Sequence, residues 1–196
     1  MGIGRLRDFV TAMTRAADAL PPGAPLMHAA RPLLAKLIAR DDWLPEACAV
    51  PHAQYYRQFL LHCDPAERFS LVSFVWGPGQ KTPIHDHTVW GLIGMLRGAE
   101  ISTGFSRGPD GGLVADARPV RLEPGDIDAV SPETGDIHQV VNAFGDRVSI
   151  SIHLYGANIG AVSRHVFDLE GRAKQFISGY SSDQIPNLWD RSREAA

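Results

Sequence analysis

The chain has 196 residues, with 19 Lys and Arg residues against 22 Asp and Glu residues and a formal net charge of −3. Its 44% hydrophobic and 21% charged residues are typical of a globular protein and exclude disordered, collagen-like and low-complexity classes. Because the chain shows no basic excess, no apolar run of ~18 residues, no signal-peptide core and no cysteine framework, we expect a cytoplasmic protein that binds neither nucleic acid nor membranes.

The first third of the chain predicts helices. Apolar residues recur at steps of three and four over residues 3–19, and a Pro-Pro-Gly turn ends this helix. A second helical pattern covers residues 26–40. Residues 53–62 are ambiguous, since their general propensity favours a helix and their aromatic residues favour a strand. We expect residues 1–65 to form a mainly helical N-terminal cap.

From residue 69 the hydrophobic period changes to two. Gly- and Pro-containing turns separate a series of short predicted strands, at residues 69–76, 84–97, 99–106, 117–122, 127–131, 137–143 and 147–155. Many short strands at a regular pitch are typical of a sandwich or a barrel. We therefore expect a mainly β fold in a single domain over residues 1–196, with the barrel at 66–160 and a C-terminal segment at 161–196 that wraps it.

A candidate metal site begins with two histidines on one predicted strand. His85 and His87 flank Asp86, and because side chains alternate along a strand, the two imidazoles share a face. A third ligand must come from elsewhere in the fold. His138 is the best candidate, since it lies on a later strand just after a turn, and His153 is its competitor. An isolated His-x-His pair more often occurs by chance, on the surface or in the core, without binding a metal.

Two longer blocks surround these histidines. The stretch GQKTPIHDHTVWGLIGMLRG reads G-x5-H-x-H, and the stretch PETGDIHQVVN reads P-x2-G-x2-H-x3-N. They resemble the two motifs of the cupin superfamily, which implies a jelly-roll (double-stranded β-helix) barrel with a metal at its mouth, bound by His85, His87 and His138. Cupins commonly add a Glu four or five residues after the pair. Gly91 and Leu92 stand there, so the predicted site has three neutral imidazoles, which favours an anionic ligand such as a thiolate; zinc would also accept three histidines.

A polar row follows on the last predicted barrel strand. Ser151, His153 and Tyr155 alternate with Ile and Leu in the stretch RVSISIHLY and therefore point to one face. A solvent-facing strand is the common reason for such alternation. Inside a barrel, however, a polar row is unfavourable unless it is hydrogen-bonded or belongs to a site.

The HDHT tetrapeptide and this polar row together resemble the cysteine dioxygenase family of thiol dioxygenases, over residues of about 55–164. The resemblance implies one Fe2+ per chain on the three histidines, a small thiol and O2 as the reactants, and a sulfinate as the product. It also implies that Ser151, His153 and Tyr155 form a catalytic hydrogen-bonded triad beside the iron.

One departure from the family pattern concerns the tyrosine. Mammalian members carry a cysteine shortly after HDHT that cross-links to the tyrosine of the triad. Gly91 is the matching residue here. The resemblance therefore predicts an unmodified Tyr155.

A second departure concerns the substrate contacts. The alignment around YYRQ can place either Arg57 or Gln58 in the site. Arg57 would indicate an L-cysteine dioxygenase. Gln58 would resemble a bacterial branch that prefers 3-mercaptopropionate and binds its carboxylate through an arginine that Arg164 matches. The glycine at the cross-link position favours this second alignment.

Two functions of other classes also fit the motifs. One is a non-catalytic cupin with a structural metal, against which the polar row argues. The other is a zinc or nickel cupin that acts as an isomerase or hydrolase.

Overall fold

The computed structural model describes residues 3–182. It begins with two helices, α1 (Gly4–Ala19) and α2 (Ala24–Ile38), which are joined by a turn in which Gly23 adopts a positive φ of 89°. Both lie where the apolar periodicity predicts them. Neither they nor any other helix of the described residues is long and apolar enough to cross a membrane.

Twelve strands follow between residues 57 and 176. In chain order they are β1 (Arg57–Cys63), β2 (Ser70–Trp76), β3 (Ile84–His85), β4 (Gly91–Arg97), β5 (Glu100–Arg107), β6 (Leu113–Ala115), β7 (Val120–Leu122), β8 (Ile127–Val130), β9 (His138–Asn142), β10 (Ser149–Tyr155), β11 (Arg164–Phe167) and β12 (Ala173–Phe176). They pair in antiparallel sheets. The first has the order β1-β2-β10-β4-β8, and the second has the order β12-β11-β3-β9-β5, with β6 and β7 both paired to β5.

Successive strands alternate between the two sheets. From β2 to β5, and again from β7 to β11, each strand lies in the sheet opposite to the one before it. The central strands are therefore ordered β2-β10-β4-β8 and β3-β9-β5-β7, which is the order of a jelly roll, or double-stranded β-helix. This confirms the predicted mainly β, cupin-type barrel with helices at its N-terminus.

The described residues form three buried apolar clusters, and two of them bear on the candidate site. One cluster joins the helices to the first sheet, and Ile38 of α2 approaches β4 so closely at Gly94 that a Cβ there would lie 2.9 Å from the Ile38 Cδ1 atom. A second cluster lies between the sheets and includes Trp76, Val140 and Tyr155. The second cluster surrounds the candidate site.

The prediction of one strand over residues 84–97 is wrong. The strand β3 ends at His85, and β4 begins at Gly91 in the other sheet. Between them, the backbone N–H groups of His87 and Thr88 donate to the Asp136 carboxylate, and Thr88 has a φ of 59°. These bonds hold the chain in a turn from one sheet to the other, so His87 lies beyond the strand.

Two other segments resolve differently from their sequence patterns. The ambiguous residues 53–62 supply most of β1, because this segment pairs along its length with β2. The segment expected to wrap the barrel, 161–196, supplies β11 and β12, which extend the second sheet beside β3. Its last part, residues 183–196, lies outside the described residues.

Candidate metal centre

Three histidines meet where β3 and β9 pair. His85 is the cross-strand partner of His138, and His87 follows two residues after His85. Their ring centroids are 4.8–4.9 Å apart, and one nitrogen of each lies within 4.8 Å of the others. All three side chains are buried. A tetrahedral or octahedral metal ion could accept this group of ligands, with further coordination positions left open.

A hydrogen bond orients each of the three rings. The Nδ1 atom of His85 donates to the Pro83 carbonyl at 3.1 Å, and that of His87 to Asp136 Oδ1 at 3.0 Å. The Nδ1 atom of His138 lies 3.1 Å from the Ser102 hydroxyl. Because every Nδ1 is engaged, the Nε2 atoms are left to act as ligands. Such partners fix the tautomer and orientation of metal-binding imidazoles, so these residues fit a metal.

Burial keeps the imidazoles of His85 and His138 neutral. It lowers the pKa of His85 to about 3, with a further contribution from His87, and it lowers the pKa of His138 well below its ordinary value. A neutral imidazole is the form that binds a metal. The centre is therefore ready to accept a cation at neutral pH without first releasing protons from these two rings.

The predicted polar row is a continuous hydrogen-bonded chain on β10. The Tyr155 hydroxyl lies 2.8 Å from His153 Nδ1, and His153 Nε2 lies 2.9 Å from the Ser151 hydroxyl. Trp76 Nε1 donates to the same hydroxyl at 3.1 Å. The His153 ring stacks on Phe74, with centroids 4.1 Å apart. Since both nitrogens of His153 are occupied, His138 and not His153 joins the other two histidines.

The Tyr155 ring lies against the metal centre and against Gly91. Its centroid is 5.6 Å from that of His87. A Cβ atom at Gly91 would lie 2.8–2.9 Å from the Cδ1 and Cε1 atoms of Tyr155, so only glycine leaves room for the ring in this position. Burial raises the pKa of Tyr155, which keeps its hydroxyl protonated at neutral pH.

A cavity of about 240 Å³ opens in front of the three histidines, and Tyr155 and Arg164 line it as well. It is smaller than the ~300–1,000 Å³ of pockets for drug-sized ligands, so its ligand is small. The Arg164 side chain is 4% exposed, donates from Nη2 to the Ser178 hydroxyl and stacks on Phe176, while its buried Nε has no partner. Within residues 3–182, Arg164 forms no ion pair.

The register of β1 decides which side chain of the YYRQ stretch faces this cavity. Gln58 pairs with Phe74 across the sheet, and both line the cavity. The Gln58 side-chain amide donates to the Gly179 carbonyl at 3.0 Å. Arg57 is not among the lining residues: its Nη2 donates to the Ser181 carbonyl, and its guanidinium lies over Phe59. The structure therefore brings Gln58 and Arg164 together at the cavity.

Several residues of the site are not singled out by the sequence. Asp136 and Ser102 orient histidine ligands, and Tyr56 and Ser178 line the cavity. The sequence does contain a signal for Asp136. It stands two residues before His138, and the alternation of side chains along a strand would place both on one face. The others depend on which strands become neighbours, which local patterns do not reveal.

Comparison with protein-family models finds no match. Solved structures give general likenesses. A cupin superfamily protein from Desulfitobacterium hafniense is 16% identical, with a TM-score of 0.44 over 60% of this chain and 93% of its own. A cupin 2 conserved barrel domain protein from Salinispora arenicola is 21% identical, with a TM-score of 0.41 over 57% of this chain and 83% of its own. The polyketide cyclase RemF from Streptomyces resistomycificus is 25% identical, with a TM-score of 0.40 over 54% of this chain and 67% of its own.

The jelly-roll strand order defines the class of this protein independently of those likenesses. It has a cupin fold, and at the mouth of its barrel three buried histidines form a group that could bind a metal.

Proposed function

We propose that this protein is a non-haem iron thiol dioxygenase that converts 3-mercaptopropionate to its sulfinate with O2, with one Fe2+ per chain. The observation that carries the proposal is the buried Arg164 guanidinium, which shares a cavity with three imidazoles and forms no ion pair within residues 3–182. A buried cation is unfavourable unless an anion compensates it. The ligand of this cavity is therefore expected to carry a carboxylate.

The donor set suits a ligand with a second anionic end. When bound by His85, His87 and His138, Fe2+ would supply a Lewis acid with open positions for a thiolate and for O2. Three neutral ligands leave the positive charge of the ion uncompensated by its direct protein ligands, and this lowers the pKa of a thiol placed there. A thiolate at one end and a carboxylate at Arg164 thus match the two cationic points of the cavity.

The reaction balances without an organic cofactor. One thiol and one O2 give one sulfinate and one proton: the O–O bond and the S–H bond break, and two S–O bonds form. The sulfur atom supplies the four electrons that reduce O2. The role of the protein chain is to bind and orient the thiol and O2 and to exclude water.

Gln58 and Arg164 support 3-mercaptopropionate over L-cysteine. An ammonium group on the substrate would lie in a cavity that already holds the Arg164 cation and the metal charge. Gln58 offers a neutral amide whose N–H already donates to Gly179, so it provides no anionic partner for that ammonium group. The des-amino thiol avoids this repulsion and keeps the bidentate pairing between guanidinium and carboxylate.

The chain from Tyr155 through His153 to Ser151 supports oxygen chemistry in this cavity. It fixes the Tyr155 hydroxyl through His153, while the Tyr155 ring lines the cavity and stacks on the His87 ring. In this position the hydroxyl can hydrogen-bond to a substrate or to O2. Binding of a structural metal alone would not require such a chain beside it.

An oxygen electrode and metal analysis test the proposal. Iron-loaded protein is supplied with 3-mercaptopropionate, L-cysteine or cysteamine, and the product is identified by mass spectrometry under isotopically labelled O2. We expect the highest kcat/KM for 3-mercaptopropionate, one O2 consumed per thiol, and both labelled atoms in the sulfinate. The absence of thiol-dependent O2 uptake by iron-loaded protein would refute it, and a preference for L-cysteine would indicate an ordinary cysteine dioxygenase.

A further inference from the structure

A buried carboxylic acid lies behind the hydrogen-bonded chain of β10. Glu100, the first residue of β5, is fully buried, and within residues 3–182 neither carboxyl oxygen has a hydrogen-bond partner of normal geometry. It precedes by two residues Ser102, which contacts His138, so the two side chains share a face of β5. A buried carboxyl group is unfavourable unless it is hydrogen-bonded, and the Ser151 hydroxyl is the side-chain group that interacts with Glu100.

The charge state of Glu100 is sensitive to its neighbours. Burial raises the pKa of Glu100 to about 7, the nearby Ser151 hydroxyl lowers it, and the charge of Asp128 raises it further. Asp128 lies on β8 in the opposite sheet. From β10 the titratable groups His153 and Tyr155 lie along the same chain, beyond Ser151. Glu100 therefore changes charge near neutral pH.

The hydrogen-bonding capacity of Ser151 links this charge to the tyrosine. A serine hydroxyl has one proton and two lone pairs. Trp76 Nε1 can only donate, so it occupies one lone pair. One proton and one lone pair remain for His153 Nε2 and Glu100. If the serine proton goes to His153, Glu100 can only donate, and if it goes to Glu100, His153 must donate.

We infer that Glu100 is a positioning residue whose protonation sets the direction of the whole hydrogen-bonded chain. When Glu100 is protonated, Ser151 donates to His153 Nε2, and His153 Nδ1–H donates to the Tyr155 oxygen. The tyrosine proton is then free to point into the cavity. When Glu100 is ionised, the bonds from Glu100 through Ser151 and His153 to Tyr155 reverse, and the Tyr155 hydroxyl donates its proton to His153 Nδ1 instead.

The imidazole tautomer of His153 reports this direction without any turnover. In zinc-loaded protein, nitrogen-15 NMR of the His153 ring distinguishes Nδ1–H from Nε2–H. We expect a change from the first to the second between about pH 5.5 and about pH 8.5. In Glu100→Gln the tautomer should be independent of pH. In Asp128→Asn the change should persist with a lower midpoint, because a charge that raises the Glu100 pKa is removed.

A tautomer of His153 that stays constant in wild-type protein would overturn the inference, and so would a change that persists unaltered in Glu100→Gln. Ser151→Ala provides a second route if Glu100→Gln fails to fold. It keeps Glu100 but removes the link, so the change should also disappear there.

Turnover gives a second readout, which rests on the proposed thiol dioxygenase function. If Tyr155 must donate into the cavity, kcat should fall about tenfold for each pH unit above the midpoint, and Glu100→Gln should lose this limb of the profile. A wild-type kcat without this limb, or a limb that persists in Glu100→Gln, would contradict the role of Glu100 in turnover. The two hypotheses can fail separately. If the protein shows the tautomer change but does not oxidise thiols, the proposed function is refuted and the role of Glu100 in the hydrogen-bonded chain is retained.

Discussion

The two faces of β10 are buried to the same degree but contain opposite chemistry. One face packs against the helices and is apolar, with Ile150, Ile152 and Leu154. The other is polar, with Ser151, His153 and Tyr155, and the last two of these line the cavity. On the first face, burial itself stabilises the fold. On the second, hydrogen bonds only offset the loss of water. Substitutions on the two sides should therefore separate stability from chemistry.

The largest effect is expected at the metal centre on the cavity side. His138→Ala should remove most of the iron and all thiol-dependent O2 uptake, because two imidazoles hold the ion poorly and Ser102 loses its partner. Metal analysis and an oxygen electrode measure both. His28→Ala, at an exposed position on α2, is the matched control and should retain iron. Full iron in His138→Ala, with loss in His153→Ala, would make His153 the third ligand.

The next effect is expected at Arg164, across the cavity. Arg164→Ala removes the guanidinium for the carboxylate, and loss of a buried charged hydrogen bond costs about 2–5 kcal/mol. The kcat/KM for 3-mercaptopropionate should therefore fall by a factor of roughly 30 to several thousand, with iron content unchanged. Arg57→Ala, next to Gln58 but outside the cavity lining, should change kcat/KM little. If Arg57→Ala abolishes activity, Arg164→Ala does not, and L-cysteine is preferred, the substrate assignment is wrong.

The apolar face should respond in stability. Ile152→Ala leaves a cavity between β10 and the helices, and such a change lowers the free energy of unfolding by about 2–5 kcal/mol. Denaturant unfolding at a fixed iron concentration measures it. The folded variant should bind one iron and keep most of its kcat. Val114→Ala, 55% exposed on β6, should shift stability by less than about 0.5 kcal/mol. A large loss of kcat in Ile152→Ala without a loss of stability would contradict the separation of the two faces.

Glu100, behind the polar face of β10, should make the free energy of unfolding of the protein depend on pH. The pKa of Glu100 in the folded protein, about 7, lies above its ordinary value of 4.5. The free energy of unfolding is therefore highest below about pH 4.5, where the carboxyl group is protonated in both states, and it falls as the pH rises through 7. This difference between the two pKa values corresponds to about 3 kcal/mol. Glu100→Gln should therefore be more stable than wild type by about 1 kcal/mol at pH 5 and by about 3 kcal/mol at pH 8. A difference that stays constant with pH would show that Glu100 does not titrate in this range.

The sequence predicts the parts of this molecule that depend on local periodicity. The helices, most barrel strands and the alternation of β10 follow from periods of 3.6 and 2. The grouping of His85, His87 and His138 follows from their motifs, although the expected strand through His87 does not form. The Asp136 carboxylate, 49 residues away, turns the chain there, and no local pattern contains such a contact.

The register between strands explains what the sequence leaves open. Arg57 and Gln58 are adjacent, so one of them must face inward, and only the pairing of β1 with β2 decides which. The contact of Ser102 with His138 and the position of Glu100 behind Ser151 likewise depend on which strands face each other. These residues lie 36 and 51 positions from their partners, so they become visible only in the folded barrel.

The smallest effect is expected from the end of the polar row. Tyr155→Phe keeps the ring that fills the space beside Gly91 and removes only the hydroxyl, so no cavity forms. One buried nitrogen of His153 loses its partner, which should lower stability by about 1 kcal/mol. Without a hydroxyl to orient substrate or O2, kcat should fall about tenfold, or about 1.4 kcal/mol in the barrier, while iron content stays at one per chain. Stopped-flow or electrode measurements at saturating thiol isolate kcat, and Tyr55→Phe, at an exposed position, is the matched control. An unchanged kcat in Tyr155→Phe would reduce the polar face of β10 to a structural network, and the contrast between its two faces would then be one of packing alone.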